Sequence, residues 1–534
     1  MAVQTQFSTD PNAIVTVHVS IIEAPTPINY QRTGALVSFG ATTLAVGDTE
    51  LLTQISDLFV PPSSLPNSLV PILFSPQAVT SVSWAAGVAT VHAAATIPWG
   101  KVGDVMGMVQ SGFTPIGPGL NGLVTATILT PTSYTYPCAV NPTPVTTEGT
   151  FIWIGCIELS QMATTFFAQG NEIGVWILEL GYDNNPTNNV TAFENWLQNN
   201  PLTVYGFLMP RRFGSDPTIL GTAAVPLSFT NLLKQYEAPS NTMEYFWLTV
   251  TPSTMSNLFF PGQLGSGGTK GTGSSFKDVI QMVESPTLTD PTLIHVPASG
   301  VNPEMYEIPN YLDPEGEFTL AAMFYNALAY RPSNTNRISP MAFKFLFGVT
   351  EYPQKNNGPL LRSFKSSNTN YVSTGAEGGI SFTMVYEGVT LDGHDYFNWW
   401  YTIDWVQIEI NLNLSNAIIN GSNNPLAPLY YNQDGINFLE VVLLDTMQSA
   451  QTFGMVLGKI EMTGYDGPDL TAAINGGQFA GKCNVNAVPF LNYSLANPGD
   501  YKIGEYDGLS TLFIPARGFI HILVNVVATD LISL

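Results

Sequence analysis

Three near-continuous apolar runs constrain the fold of this chain more than any other feature: 173–180 (IGVWILEL), 203–209 (TVYGFLM) and 245–250 (YFWLTV). A strand with one wet face alternates apolar and polar residues, so runs without that alternation belong to strands covered on both sides. Before and between them, 158–168, 190–198 and 226–236 are each long enough for a helix. Strands alternating with helices predict βαβ units and a mostly parallel sheet with helices on both faces. The expected fold class is therefore α/β, mixed α+β overall, with a doubly wound core. Upstream, 34–40 (GALVSFG) is a short apolar run, and 49–60 (TELLTQISDLFV) has helical spacing.

The character changes from about residue 78 to residue 150, which is rich in Thr, Val, Ala, Gly and Pro. Strand-like runs at 79–84, 88–94, 105–109, 123–129 and 133–136 are separated by turn residues such as Gly117-Pro118-Gly119 and Asn121-Gly122. This reads as an inserted all-β module. Asp313-Pro314 predicts a helix start, an N-cap followed by Pro at the first helical position, with Phe318, Ala321, Ala322 and Tyr325 on one face. Two longer helices are predicted downstream. One carries Phe397, Trp400, Tyr401, Trp405, Ile408 and Leu412, and the other follows Asp434-Gly435 with Ile436, Leu439, Leu443 and Met447. From residue 455 onward the many turn residues predict a β-rich region.

Both ends of the chain are strand-like. In 14–22 (IVTVHVSII) Val15, Val17, Val19 and Ile21 share one face, and in 519–527 (FIHILVNVV) Ile520, Ile522, Val524 and Val526 do. Chain ends are ordinarily polar and frayed. Two apolar terminal strands must either complete this chain's own sheets or join a neighbour's.

Charged residues make up 11% of the chain, with 40 acidic against 17 basic and a net charge of −23. A surface so sparsely charged offers little repulsion between copies. The few cations form no cluster longer than Arg211-Arg212, so nucleic acid is a poor partner. No apolar stretch reaches the roughly 18 residues needed to cross a bilayer, and direct membrane insertion is not expected. Residues 1–13 have neither a basic start nor an apolar core, so no secretory leader is expected. Cys138, Cys156 and Cys483 have no ligand spacing and suit a reducing cytoplasm.

Chemistry is sparse. The glycine loop 261–275 has the order Gly268-Thr269-Lys270-Gly271, which lacks the Gly-Lys-Ser/Thr of a phosphate cradle, and no Gly-x-Gly-x-x-Gly follows a core strand. Asp392-Gly393-His394-Asp395 reads as a polar turn in which Asp395 caps the Trp-rich helix, in preference to a metal or acid-base site. Asp404, beside Trp405 on an apolar helix, calls for a buried partner, with Arg331, Arg337 or Arg362 available. No nucleophile and base are brought together, so catalytic residues, cofactors and metals are not expected.

One ordered block is recognisable: 334–353 (NTNRISPMAFKFLFGVTEYP), 368–410 (NTNYVSTGAEGGISFTMVYEGVTLDGHDYFNWWYTIDWVQIEI) and 431–454 (YNQDGINFLEVVLLDTMQSAQTFG). It resembles contractile tail sheath proteins of tailed, myovirus-type bacteriophages, and more closely a sheath-like family formerly of unknown function. Upstream, 162–181 (MATTFFAQGNEIGVWILELG) is similar to the sheath core's helix-then-strand with its Phe-Phe-x-x-Gly signature. The segment 79–151 resembles a β-rich module recurrent in phage structural proteins.

The resemblance implies a sheath-type core divided as follows: a strand arm (1–25), a first core segment (26–77), the inserted β-rich outer domain (78–151), a second, α/β core segment (152–320), a C-terminal core domain (321–515) and a second strand arm (516–534). It further implies a homo-oligomer of stacked rings around an inner tail tube protein, meeting baseplate and tail terminator proteins, assembled in the host cytoplasm and carried in the virion tail. The positions it singles out are the two arms. The alternative reading is a phage β-rich protein recognising host-surface glycans through the 78–151 module.

Overall fold

The computed structural model describes residues 30–62, 70–114, 119–142, 144–220, 228–236, 243–255, 276–284, 317–352, 358–374, 382–392 and 396–518. The chain lays down β1 (Gly34–Ser38) and β2 (Thr49–Leu52), then β3 (Gln77–Ala85), β4 (Val88–Ala93), β5 (Val105–Ser111), β6 (Gly122–Thr130), β7 (Ser133–Pro137) and β8 (Thr150–Trp153). It continues through α1 (Ile154–Ala168), β9 (Val175–Glu179), α2 (Pro186–Asn199), β10 (Gly206–Leu208), the one-turn α3 (Arg212–Ser215) and α4 (Pro217–Leu220), α5 (Phe229–Tyr236), β11 (Tyr245–Val250), β12 (Val279–Val283) and α6 (Thr319–Leu328).

The central sheet has the order β12-β11-β10-β1-β9-β2. Its strands are parallel except β2, which pairs antiparallel with β9 at one edge. Alternate residues of each strand face opposite layers, as the pleat requires. Ala35 and Val37 of β1, with Phe246 and Leu248 of β11, pack against Val190, Phe193 and Leu197 of α2 and Leu232 and Leu233 of α5. Leu36 and Trp247, their neighbours in sequence, face Leu159, Met162 and Phe166 of α1 and Phe324 and Leu328 of α6. Helices therefore cover both faces, which accounts for the unbroken apolar runs. Of α6 only Asn326 is not buried, as expected of a helix that is apolar all round.

The region 49–60 is not the helix its spacing predicts. Thr49–Leu52 is strand β2, and Asp57 Oδ2 then accepts from the Thr53 and Gln54 backbone N–H groups (2.8 and 3.1 Å), opening a 3-10 turn over Ile55–Phe59. The turn aspartate outweighs the apolar periodicity.

Strands β3 to β8 close into an antiparallel barrel in the order β3-β4-β7-β6-β5-β8. Closure leaves no unpaired strand edge. Alternate residues such as Ala89, Val91, Met108, Ala126, Tyr134 and Phe151 are buried. The first and last strands pair, Gln77 with Phe151, so the chain enters and leaves the barrel at one place.

Downstream come α7 (Gly358–Ser366), the hairpin β13 (Tyr371–Thr374) and β14 (Thr383–Tyr386), and two long helices, α8 (Phe397–Ser422) and α9 (Gln433–Thr452). Asn370 ties this region to the edge of the central sheet. Its Nδ2 donates to the carbonyls of Gln281 (3.0 Å) and Val389 (2.9 Å), and its Oδ1 accepts from Val389 N–H (2.9 Å). Gly388 turns with φ +67°, and a Cβ there would lie 2.6 Å from Ala342 N. The N-cap of α8 is Tyr396, without a side-chain cap, and position 395 lies outside the described residues. Helix α9 is capped by Asn432, whose Oδ1 accepts from Gly435 N–H (2.9 Å).

The region after residue 455 is mixed rather than mainly β. It contains β15 (Val456–Leu457), β16 (Lys459–Thr463), α10 (Gly467–Asn475), β17 (Lys482–Ala487), α11 (Phe490–Ala496), α12 (Pro498–Ile503), β18 (Leu509–Leu512) and β19 (Ile514–Pro515). The residues that suggested turns between strands are helix punctuation. Asp466 accepts from Asp469 N–H to cap α10, Pro498 opens α12, and Gly504 closes α12 in the left-handed conformation, φ +81°.

Candidate assembly site

The arm residues Val15, Val17, Val19, Ile21, Ile520, Ile522, Val524 and Val526 lie outside the described residues, as do the glycine loop 261–275, Asp313-Pro314 and the His394-Asp395 turn. What the structure does place are the roots from which the two terminal segments depart.

At the first root Tyr30 is buried in a 3-10 turn, with Tyr30 Oη within 3.2 Å of the carbonyl oxygens of Val204 and Met243. Gln31 Nε2 donates to the Tyr401 carbonyl of α8 (3.0 Å). At the second root Ile514–Pro515 pairs with β15, and Ala516 N–H donates to Met455 O (2.7 Å). Asn398 Nδ2 of α8 donates to the Ala516 carbonyl (3.0 Å), and the Arg517 guanidinium lies 4.2 Å from the centre of the Trp399 ring. Gly518 runs so close to Pro340 that a Cβ would fall 2.4 Å from its ring. Both roots are thus held by the first turns of one helix. Residues 398 and 401 are three apart, which puts them about 5 Å from each other on one helix face.

One turn further along α8, Asp404 anchors the floor of this site. Arginine does not partner it, contrary to the sequence expectation. Its Oδ2 accepts from Tyr205 Oη (3.0 Å) and Tyr245 Oη (2.8 Å), both standing at the starts of core strands. Burial pushes the Asp404 carboxyl up to about 6, opposed by Lys277 and the two hydroxyls. Burial likewise raises Glu244 to about 8, although it accepts from Leu202 N–H (2.9 Å). Tyr30 is raised by its own burial and then by these two carboxyls. No signal in the sequence pairs Asp404 with tyrosines 199 and 159 positions away.

The place where a doubly wound sheet would hold a phosphate is filled by the chain itself. After β1, Gly40 and Thr42 N–H donate to the Glu179 carboxylate (2.5 and 3.1 Å), joined by Gly181 N–H (2.7 Å) and the hydroxyls of Ser38 and Thr42 (2.7 Å each). A second buried network binds Arg211 bidentately to Glu284, Nε to Oε2 at 2.8 Å and Nη2 to Oε1 at 3.2 Å, with Gln161 and the Glu317 carbonyl completing its donors. This pair links the ends of β10 and β12 to α1 and α6. Among the described residues no group of three or more His, Cys, Asp or Glu is placed to hold a metal ion. No helix among them is long and apolar enough to cross a membrane.

No protein-family model matches the chain, and no curated protein matches it. Among solved structures it is similar to the sheath tail protein Lin1278 from Listeria innocua, with a TM-score of 0.34 and 9% identity, over 80% of this chain and 86% of that one.

Proposed function

We propose that this chain is a structural subunit of a contractile phage tail sheath. It would polymerise as stacked rings around an inner tail tube through strands donated by its two terminal segments, and contract to drive the tube through the host envelope. The observation that carries this reading is the convergence of both roots on the first turns of α8: Gln31 on Tyr401, Ala516 on Asn398 and Arg517 on Trp399. Two strand-forming segments that leave from one rigid helix transmit load between neighbours through a single element. The ordered resemblance over 334–454 and the sparsely charged surface support the same reading.

A donated strand with about eight backbone hydrogen bonds at roughly 1 kcal/mol net each outlasts the weaker polar contacts between subunits. Subunits can then change their packing as rigid bodies while the strand links hold. Inner tube, baseplate and tail terminator proteins are the partners this role requires, and the virion tail is its place. The division into core segments, barrel and arms at residues 25, 77, 151, 320 and 515 belongs to this proposal. Catalysis has no role in it.

Deleting residues 1–29 or 519–534 tests the proposal by sedimentation velocity beside the full chain. Each deletion is expected to leave a folded species of monomer size while the full chain assembles. Assembly of either deleted form to the same extent as the full chain overturns strand donation. Monodisperse full chain that binds surface glycans would favour the glycan-recognising reading.

A further inference from the structure

Exposed apolar residues gather at both ends of α8. At its start the segment 343–347 runs antiparallel to β14, with Val385 N–H donating to the Lys344 carbonyl (2.9 Å) and Leu346 N–H to that of Thr383 (2.9 Å). Leu346 turns inward, whereas Phe343, Phe345, Phe347 and Phe382 are 39%, 48%, 52% and 60% exposed. Phe345 is edge-on to Phe382 (5.6 Å), and Phe343 to Tyr386 (5.3 Å). Gln169 closes the edge of this segment at Phe347, accepting from its N–H (2.9 Å) and donating to its carbonyl (2.6 Å). The rings therefore offer a face for docking and not an edge for strand addition. Phe397 N–H donates to the Gly388 carbonyl (3.0 Å), which sets this face beside the first turn of α8.

The 26 residues of α8 carry the chain about 39 Å away. At the far end Leu429 N–H donates to the Gly421 carbonyl (3.1 Å), and Tyr431 meets Phe490 edge-on (5.8 Å) while its Oη donates to the Glu505 carbonyl (2.7 Å). These bonds bring α11 and α12 to that end, where Leu426, Tyr430, Leu491, Leu495 and Ile503 are 63–94% exposed. Exposed apolar residues gathered in this way mark contact sites. The charges at the two ends are opposite. Residues 331–365 hold six Lys and Arg against Glu351, in a chain whose surplus is acidic. Arg337 lies against Gly454, next to Phe453, whose ring meets Trp405 of α8 (5.6 Å), and Lys365 Nζ reaches the Glu387 carboxylate (3.2 Å) beside Tyr386. At the far end, 423–440 holds Asp434 and Glu440 without a cation, and 488–507 holds Asp500, Glu505 and Asp507 against Lys502.

We propose that these two surfaces meet head to tail between copies of this chain, the cationic phenylalanine face of one subunit docking on the acidic apolar far end of α8 in the next. Unlike surfaces at opposite ends of one rigid element make a heterologous contact, which propagates as a ring or filament. The opposite charges orient the contact and disfavour pairing of like ends. Four rings about half exposed supply about 300–500 Å² per copy. That is less than the roughly 800 Å² per partner of a standard interface, so one contact is weak and acts by repetition within an assembly. The inference rests on the reading that copies of this chain assemble, but not on strand donation.

Crosslinking between full-length chains tests it, because Cys138, Cys156 and Cys483 are buried and a new surface thiol stands out against them. A Phe347→Cys chain is mixed with a Leu495→Cys chain and treated with a short bismaleimide. The mixture is expected to give a dimer linked between positions 347 and 495, identified by peptide mass spectrometry, at about tenfold the yield of either chain alone. The yield should fall severalfold as salt rises from about 0.1 M to about 1 M. Arg337→Glu in the first chain is expected to lower it, and Glu505→Lys in the second to restore it. Phe382→Cys takes the place of Phe347→Cys should that chain not fold. Equal yields from the mixture and the single chains, or a yield untouched by Arg337→Glu, overturns the proposal. Tubes that form without the 347–495 link would overturn this contact and leave strand donation standing, whereas the link in a chain that forms no tubes would uphold the contact and contradict the sheath reading.

Discussion

Asp404 joins the core strands to the helix that holds both roots, and two substitutions separate its charge from its hydrogen bonds. In Asp404→Asn the amide carbonyl can accept from Tyr205 and Tyr245 as Oδ2 does, but the charge is gone. The carboxyl is raised from 3.8 to about 6 by burial, so the folded chain keeps a proton that the unfolded chain has released. Its contribution to stability is therefore full below about pH 4 and lost as pH rises through about pH 6. A displacement of about two units corresponds to about 3 kcal/mol. The stability of Asp404→Asn relative to the unaltered chain should rise by that amount between about pH 4 and about pH 8. Glu244 titrates in both proteins and cancels from the difference. Asp404→Leu instead strands two buried hydroxyls, at about 1–3 kcal/mol each, and should cost about 2–6 kcal/mol even at low pH. Urea unfolding followed by tryptophan fluorescence across the pH range measures all three. Parallel pH profiles for Asp404→Asn and the unaltered chain, or an Asp404→Leu protein of full stability, would refute the reasoning.

Removing Arg211 while leaving Glu284 buried should be severe: Arg211→Met is expected to cost about 3–5 kcal/mol in thermal or urea unfolding, with some of the loss recovered in the double variant Arg211→Met/Glu284→Gln. Glu179→Ala leaves the Gly40, Thr42 and Gly181 N–H groups without their shared acceptor. Hydrogen exchange should accelerate there, with a destabilisation of several kcal/mol at about 1–3 kcal/mol per donor. Asn398→Ala removes the bond to the Ala516 carbonyl and should cost only about 1 kcal/mol. Trypsin cleavage after Arg517 should nevertheless become faster while the melting temperature barely moves.

The core was legible because burial on both faces writes itself into consecutive residues. The runs at 173–180, 203–209 and 245–250 contain β9, β10 and β11, while the segments 158–168 and 190–198 fall within α1 and α2 and 226–236 holds α5. The barrel strands were legible from short strand-like runs separated by turn residues. Where one residue type serves two purposes, reading failed. Asp466, Pro468 and Gly504 punctuate helices α10 and α12, yet by composition they look the same as turns between strands. Asp57 ends a strand and starts a 3-10 turn within a segment whose apolar spacing is helical. The root site was legible only in outline, because its bonds join residues far apart in the chain: Gln31 to Tyr401, Asn398 to Ala516 and Tyr205 to Asp404. A buried carboxylate announces that it needs partners without saying which, and here two tyrosines took the place assigned to an arginine. The filling of the phosphate position by Glu179 likewise depends on the register between β1 and β9, which no local pattern encodes.

The central claim is that this chain builds a polymer through its terminal segments, and electron microscopy of the concentrated, purified full chain tests it most directly. Tubes or stacked rings with density joining each subunit to its neighbours at the first turns of α8 are predicted. A field of separate particles of monomer size at every concentration would contradict the account.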